Sequence, residues 1–442
     1  MESSVFQSQS ISKAYFKLAL PVVFSMVITI VYNISDTYFI ALTQNTNLVA
    51  GVSLCAPVFT LLMAFGNIFG QGGSSLLSRL LGKKEGDGVH RVSSFCFYVA
   101  ITFGLVSGIA MLLLREKILY LLGADANTVS YASPYYTWMA LGAPFVVLSF
   151  IHTNLLRSEG MSKESMIGTI GGSAVNIVLD PLMIFGLRLG AAGAAIATIL
   201  GYLFTDLYCL WIVLRKSGAL SVDIRKVRIG GGEMRQIFGI GTSAALTNLM
   251  QSLALILMNQ NLLAYGSDKI AAMGIVQKIS MVVMLVLVGF SFGGAPLIGY
   301  CYGSGDSQRL KQLLRFVLRF LCGIALAMSA VLILAAPLAV RLFLKEEALV
   351  GTGVWMLRTQ VSSMLFLAVV QFISIIFQAT GKTVPSLLLS VSRQGIIYGI
   401  VLYAAAWLGG YNGILLAQPI ADVLTAGLAL ILYRRCRTES PK

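Results

Sequence analysis

Four aspartates, Asp36, Asp180, Asp206 and Asp422, stand inside long apolar stretches of the chain. A carboxylate in hydrocarbon costs about 2.5–3.5 kcal/mol on insertion scales, so each is a functional candidate unless a partner accounts for it. Asn33 precedes Asp36 by one helical turn and Asn176 precedes Asp180 likewise, placing each amide on the face of its acid. At about 1.5 Å of rise per residue, Asp36, Asp180 and Thr198 fall at one depth, each about six to eight residues from the outer end of its span. Two carboxylates, two amides and a hydroxyl at one level form a hard oxygen set suited to a proton or to Na+, the latter held by Asp36, Asn176, Asp180 and Thr198. Asp206 lies nearer the inner end, with Arg215 as a possible structural partner, and Asp422 lies at mid-depth beside Gln418 and Pro419. Pro21, four turns before Asp36, removes a backbone hydrogen bond and offers a bend that a change of charge at Asp36 would work. Tyr32, Tyr135, Tyr136, Trp138, Phe290 and Phe292 supply faces on which a flat cation stacks. Tyr32, Asn259, Gln260, Gln277, Phe290 and Asp422 are the candidates for a substrate cavity.

These residues need elements that cross a membrane. Of 442 residues 57% are hydrophobic and 11% charged, against roughly 25% charged in soluble domains. Spans are expected near 14–42, 50–78, 93–114, 130–156, 164–187, 190–214, 236–264, 270–302, 316–340, 351–379, 384–408 and 411–433. Twelve spans leave no room for a soluble domain. The net charge of +14 is a loop property rather than a nucleic-acid signal: of the 32 Lys and Arg, 23 fall in alternate loops and termini, including Lys442. Six fall in the opposite loops, among them Lys345, and Lys278, Arg358 and Arg393 lie within spans. The asymmetry places both termini in the cytoplasm of a cell-membrane protein. The polar start lacks a cleavage site, so the first span is retained. Six cysteines without CxxC spacing imply neither a disulfide framework nor a zinc site.

The most polar connection falls at mid-chain, which divides the sequence into an N-terminal lobe (1–214), a cytoplasmic linker (215–235) and a C-terminal lobe (236–442). A displacement of 221, half of 442, puts Gly72-Gly73 on Gly293-Gly294, Leu76 on Leu297, Gly82 on Gly303 and Gly160 on Gly381. The expected fold is therefore all-α, with twelve transmembrane helices in two pseudo-symmetric six-helix lobes around a central cavity. There is no Walker A motif, no Gly-x-Ser-x-Gly elbow and no histidine cluster, so neither an enzyme nor an ATP-driven machine is indicated.

The segment LLRSEGMSKESMIGTIGGSAVNIVLDPLMIFGLRLGAAGAAIAT (155–198) resembles the fifth-and-sixth-helix signature of the MATE multidrug and toxin extrusion transporters. FGNIFGQGGSSLLSRLLGKKEGD (65–87), FQATGKTVPS (377–386) and LALPVVFSMVITIVYNISDTYFIA (18–41) are similar to other parts of that family, in its DNA-damage-inducible and staphylococcal multidrug branch. The resemblance implies antiport of cationic or amphipathic drugs against H+ or Na+, with no cofactor. It carries the family's coupling positions onto Asp36, Asn176, Asp180, Thr198 and Tyr135, and its bending proline onto Pro21. The acids that another branch carries in the second lobe have no counterpart here, where Val369 to Gln378 offers Gln371 and Gln378. A lipid-linked oligosaccharide flippase of similar plan is the alternative, and it would line its cavity with Lys278, Arg358 and Arg393. Nothing in the spans demands a second subunit, so a monomer is expected.

Overall fold

The computed structural model describes residues 5–8, 10–343 and 347–438; Lys345 and Lys442 lie outside them. Twelve spans are present, and no strand occurs among the described residues. Span one is Ile11–Leu42; span two is Thr46–Leu54 with Ala56–Gly82; span three is Gly86–Leu113. Span four is Val129–Ser158, span five Ser162–Pro181 with a π-turn at Leu182–Gly186, and span six Ala191–Arg215. Spans seven, eight and nine are Gly231–Leu263, Ser267–Gly303 and Ser307–Arg341. Span ten joins Glu347–Ser362 to Met364–Thr380. Span eleven runs from Thr383 through a π-turn at Ser392–Ile396, and Gly410, at φ 54°, divides it from span twelve. Span two breaks at Cys55 because Pro57, in the first turn beyond it, has no N–H to continue the upstream helix. Span nine starts well before the expected 316, since Asp306 caps it by accepting from the Arg309 amide at 2.9 Å.

The repeat is visible in the backbone. Gly160 and Gly381, 221 positions apart, both take positive φ (91° and 75°) just past spans four and ten. Gly190 and Gly410 turn the chain from span five to six and from span eleven to twelve with φ of 53° and 54°.

Two large apolar clusters fill the lobes, and the first helix of each lobe crosses between them. The foot of span one (Ala14, Tyr15, Leu18, Ala19) is buried in the C-terminal core, whereas Ile40 near its other end packs with Ile184, Ala191 and Ala194 of the N-terminal lobe. Span seven mirrors this, with Ile237 in the N-terminal core and Ala254, Met258 and Leu262 in the C-terminal one. Glycine makes both crossings possible. A β-carbon on Gly72 would strike the Ile237 carbonyl and one on Gly293 would strike Ala19. Gly82 and Gly303, another repeat pair, meet backbone to backbone. Around that point Arg79 donates to the Ala379 carbonyl (3.1 Å) and to Gln236 Oε1 (2.8 Å), Ser75 donates to the Gln378 carbonyl, and Tyr15 to the Phe290 carbonyl (2.9 Å). The lobes are thus sealed at the membrane face that carries both chain ends.

Span one also carries a ladder that bears on its bending. Ser25, Thr29, Asn33 and Thr37 each donate to the carbonyl four residues earlier, beginning at Pro21, over 2.7–2.9 Å. Such back-bonds compete with the helical amides and soften the helix.

Candidate functional site

Above the seal a cavity of about 520 Å³ lies between the lobes. Its N-terminal wall is built by Thr29, Asn67, Gln71, Asn154, Asn176 and Thr198, and its C-terminal wall by Thr247, Asn248, Gln251, Gln371, Gln378 and Gln394. Met26, Met63, Met281 and Met284 line it with Phe59 and Phe292, a flexible apolar surface that repacks around differing shapes. Its charged lining residues are two guanidinium groups, Arg157 and Arg393.

Behind the N-terminal wall the expected oxygen cluster is assembled. Asn176 Nδ2 donates to Thr198 Oγ1 (3.3 Å) and to Asp180 Oδ1 (3.4 Å), joining spans five and six. Asp180 is fully buried, and its Oδ2, Asn176 Oδ1 and Asp36 Oδ1 are buried with no hydrogen-bond partner among the described residues. Asp36 is half-buried and within electrostatic reach of Asp180, Tyr135 and Tyr202, while Tyr32 of span one lines the cavity together with Thr198. Three orphaned acceptor oxygens, two on the bonded pair Asn176–Asp180 and one on Asp36 within electrostatic reach of it, are a costly arrangement by themselves and a fitting one for a bound cation or proton. Asn33 stands apart: its amide is spent on the Thr29 carbonyl, and it faces the cavity.

Of the six substrate-cavity candidates, Tyr32 lines the cavity and the others are elsewhere. Phe290 packs edge-on against Phe16 and Phe320 in the C-terminal core, and Gln277 donates to Met258 Sδ (3.6 Å). Asn259 is half-buried off the wall, and Gln260 is exposed on the outside of span seven. Asp422 is buried one layer back, paired with Arg393 (3.4 Å). Those expectations took polar and aromatic residues from within spans, and membership of a span does not fix azimuth: such a residue points to lipid or to a neighbouring helix as readily as to the cavity.

Two buried contacts of acids, one of them an ion pair, were not foreseen. Asp206 faces His152 Nδ1 at 3.6 Å rather than Arg215, and Arg393 meets Asp422. Arg157, expected only as a loop charge, lines the cavity and donates to Ser165 Oγ (3.1 Å). The signal for the missed cavity residues is polar spacing at every third or fourth position within an apolar helix, as in Thr169 and Ser173 leading to Asn176 in span five.

The MatE family model matches the chain twice, over residues 21–182 and 243–403, about half a chain apart. The multidrug export protein MepA of Staphylococcus haemolyticus (strain JCSC1435) is 31% identical over 434 residues, 98% of this chain and 96% of that protein. MepA of Staphylococcus aureus (strain NCTC 8325 / PS 47) is 31% identical over 97% of this chain and 94% of its own. Among solved structures, a MATE protein in complex with MaL6 superposes with a TM-score of 0.93 at 24% identity, covering 99% of this chain and 98% of that one. An outward-facing multidrug resistance MATE family transporter of the MOP superfamily superposes at 0.92 with 23% identity, over 100% and 99%. With both halves matched and the full length aligned to curated relatives, the chain belongs to the MatE family.

Proposed function

We propose that the protein is a multidrug efflux transporter that exports cationic and amphipathic compounds by antiport against H+ or Na+, the coupling ion being held in the N-terminal lobe. The observation that carries this reading is the trio of orphaned oxygens on Asp36, Asn176 and Asp180, of which Asn176 lines the cavity. Thr198 and Tyr135 complete the surroundings of that site. The named activity of the MepA relatives and the Met-lined cavity support the substrate class.

In this account the transported ion neutralises Asp36 and Asp180 together, because one acid ionised beside another in a dry site is unfavourable. Span one then relaxes about Pro21, its foot fixed in one lobe and its Asp36 end in the other, and the two lobes (1–214 and 236–442, joined by 215–235) exchange access. The charge asymmetry of the loops puts the sealed face in the cytoplasm. The chain acts as a monomer in the cell membrane. The flippase alternative draws less support: Lys278 and Arg358 are exposed outside the cavity, Arg358 donating to the Ile333 carbonyl, so of its three cations one lines the wall.

The test is efflux of tetramethylrhodamine methyl ester, a lipophilic cation, from cells expressing the chain, with protonophore and external Na+ varied separately. Efflux that depends on one ion and vanishes in Asp36→Asn at equal expression is expected. Wild-type efflux by Asp36→Asn and Asp180→Asn alike would refute the reading, and flipping of a lipid-linked sugar without dye efflux would establish the alternative.

A further inference from the structure

Arg393 is buried, 8% exposed, and sits in the π-turn Ser392–Ile396 of span eleven, the kind of widened turn that recurs at functional sites. Its Nε donates to Asp422 Oδ1 at 3.4 Å. That carboxylate is held in turn: Gln418 Nε2 donates to Oδ1 (3.1 Å) and Ser363 Oγ to Oδ2 (2.8 Å). Asp422 therefore steadies the guanidinium from behind, and the two terminal amino groups of Arg393 have no partner among the described residues although the residue lines the cavity. A planar fork with unspent donors on a low-dielectric wall recognises a carboxylate in two parallel hydrogen bonds.

The fold does not require this pair. Displaced by 221, the register of Gly160 and Gly381, Arg393 falls on Gly172, and displaced by 220, the register of Gly190 and Gly410, Asp422 falls on Tyr202; spans five and six meet instead at Gly172 and Gly201, where a β-carbon on either would strike the other's carbonyl. The same architecture thus closes without charge in one lobe and carries a desolvated ion pair in the other, at a cost that packing does not demand. The other guanidinium on the cavity, Arg157, belongs to the N-terminal lobe, which also holds the acids Asp36, Asp180 and Asp206.

We infer that Arg393 is an anion subsite of the cavity, taking the carboxylate of an amphipathic aromatic zwitterion whose cationic end faces the N-terminal lobe. The inference rests on the export reading for its cationic half, but the carboxylate contact is measured without transport. Asp422 is the positioning residue for Arg393.

The experiment is an equilibrium titration of the purified full chain with tetramethylrhodamine, which bears a free carboxylate, and with its methyl ester, which does not. Arg393→Lys keeps the charge and loses the fork; the pair Arg393→Gln with Asp422→Asn removes both charges together and leaves no buried ion unpaired. Against wild type, the double variant should lose about tenfold in affinity for the acid dye and change less than about twofold for the ester. Arg393→Lys should fall between. Equal affinities of wild type and both variants for the acid dye, parallel loss for both dyes, or no binding of the acid dye by wild type would overturn the subsite. Ester export by wild type in vesicles reports separately on the transport reading: Arg393-dependent carboxylate binding without export would sink that reading and leave the subsite standing.

Discussion

Spans five and six and their repeat mates eleven and twelve occupy equivalent places and carry opposite electrostatics. In the first pair, Gly172 and Gly201 let the helices touch, and the acid Asp180, two turns further along, has an oxygen with no partner. In the second pair the acid Asp422 has every oxygen engaged, by Arg393, Gln418 and Ser363. An unpartnered carboxylate must acquire a proton or a cation, while a paired one is already neutralised. Duplication has thus supplied two similar frames, of which one is left chemically unfinished and the other closed.

The largest contrast is expected from the matched substitutions. Asp180→Asn should abolish ion-driven efflux while leaving the thermal midpoint of the purified protein close to wild type, because Oδ2 already lacks a partner and the amide oxygen can still accept from Asn176. Asp422→Asn should do the reverse, lowering stability by about 3–5 kcal/mol through the unpaired Arg393 it leaves behind, read as a lower midpoint that Arg393→Gln restores. Efflux loss in both with unchanged midpoints would break the comparison. Smaller is the effect of Gly201→Val, whose new side chain meets the Gly172 carbonyl: about 1–3 kcal/mol of overpacking, seen as a lower midpoint.

Below these comes Pro21→Ala, which restores an amide at the foot of the Ser25–Thr37 ladder. It should slow dye efflux severalfold with dye affinity unchanged; unchanged turnover would show that span one does not bend there. Smallest is Asn33→Ala, whose amide serves its own helix. Its efflux should stay within about twofold of wild type.

The twelve spans were legible because apolar runs and charged connections report the membrane directly, and the repeat was legible in glycines such as Gly82 and Gly303 that turn out to touch. Asn176, Asp180 and Thr198 were legible because helical spacing and depth both constrain them. Phe290, Gln277, Asn259 and Gln260 were misplaced since a single helix does not declare which flank meets the cavity. Arg393–Asp422 and His152–Asp206 were invisible for another reason: each joins residues more than a helical turn apart in sequence on different spans, and nothing local announces the partner.

The most direct measurement of the coupling claim uses purified chain in proteoliposomes, with uptake of tetramethylrhodamine methyl ester driven by an imposed proton or Na+ gradient and followed in wild type and Asp180→Asn. Gradient-driven accumulation by wild type, with only passive equilibration by Asp180→Asn at equal reconstitution, is the predicted result. Accumulation by Asp180→Asn at the wild-type rate and extent would contradict a coupling site in the N-terminal lobe.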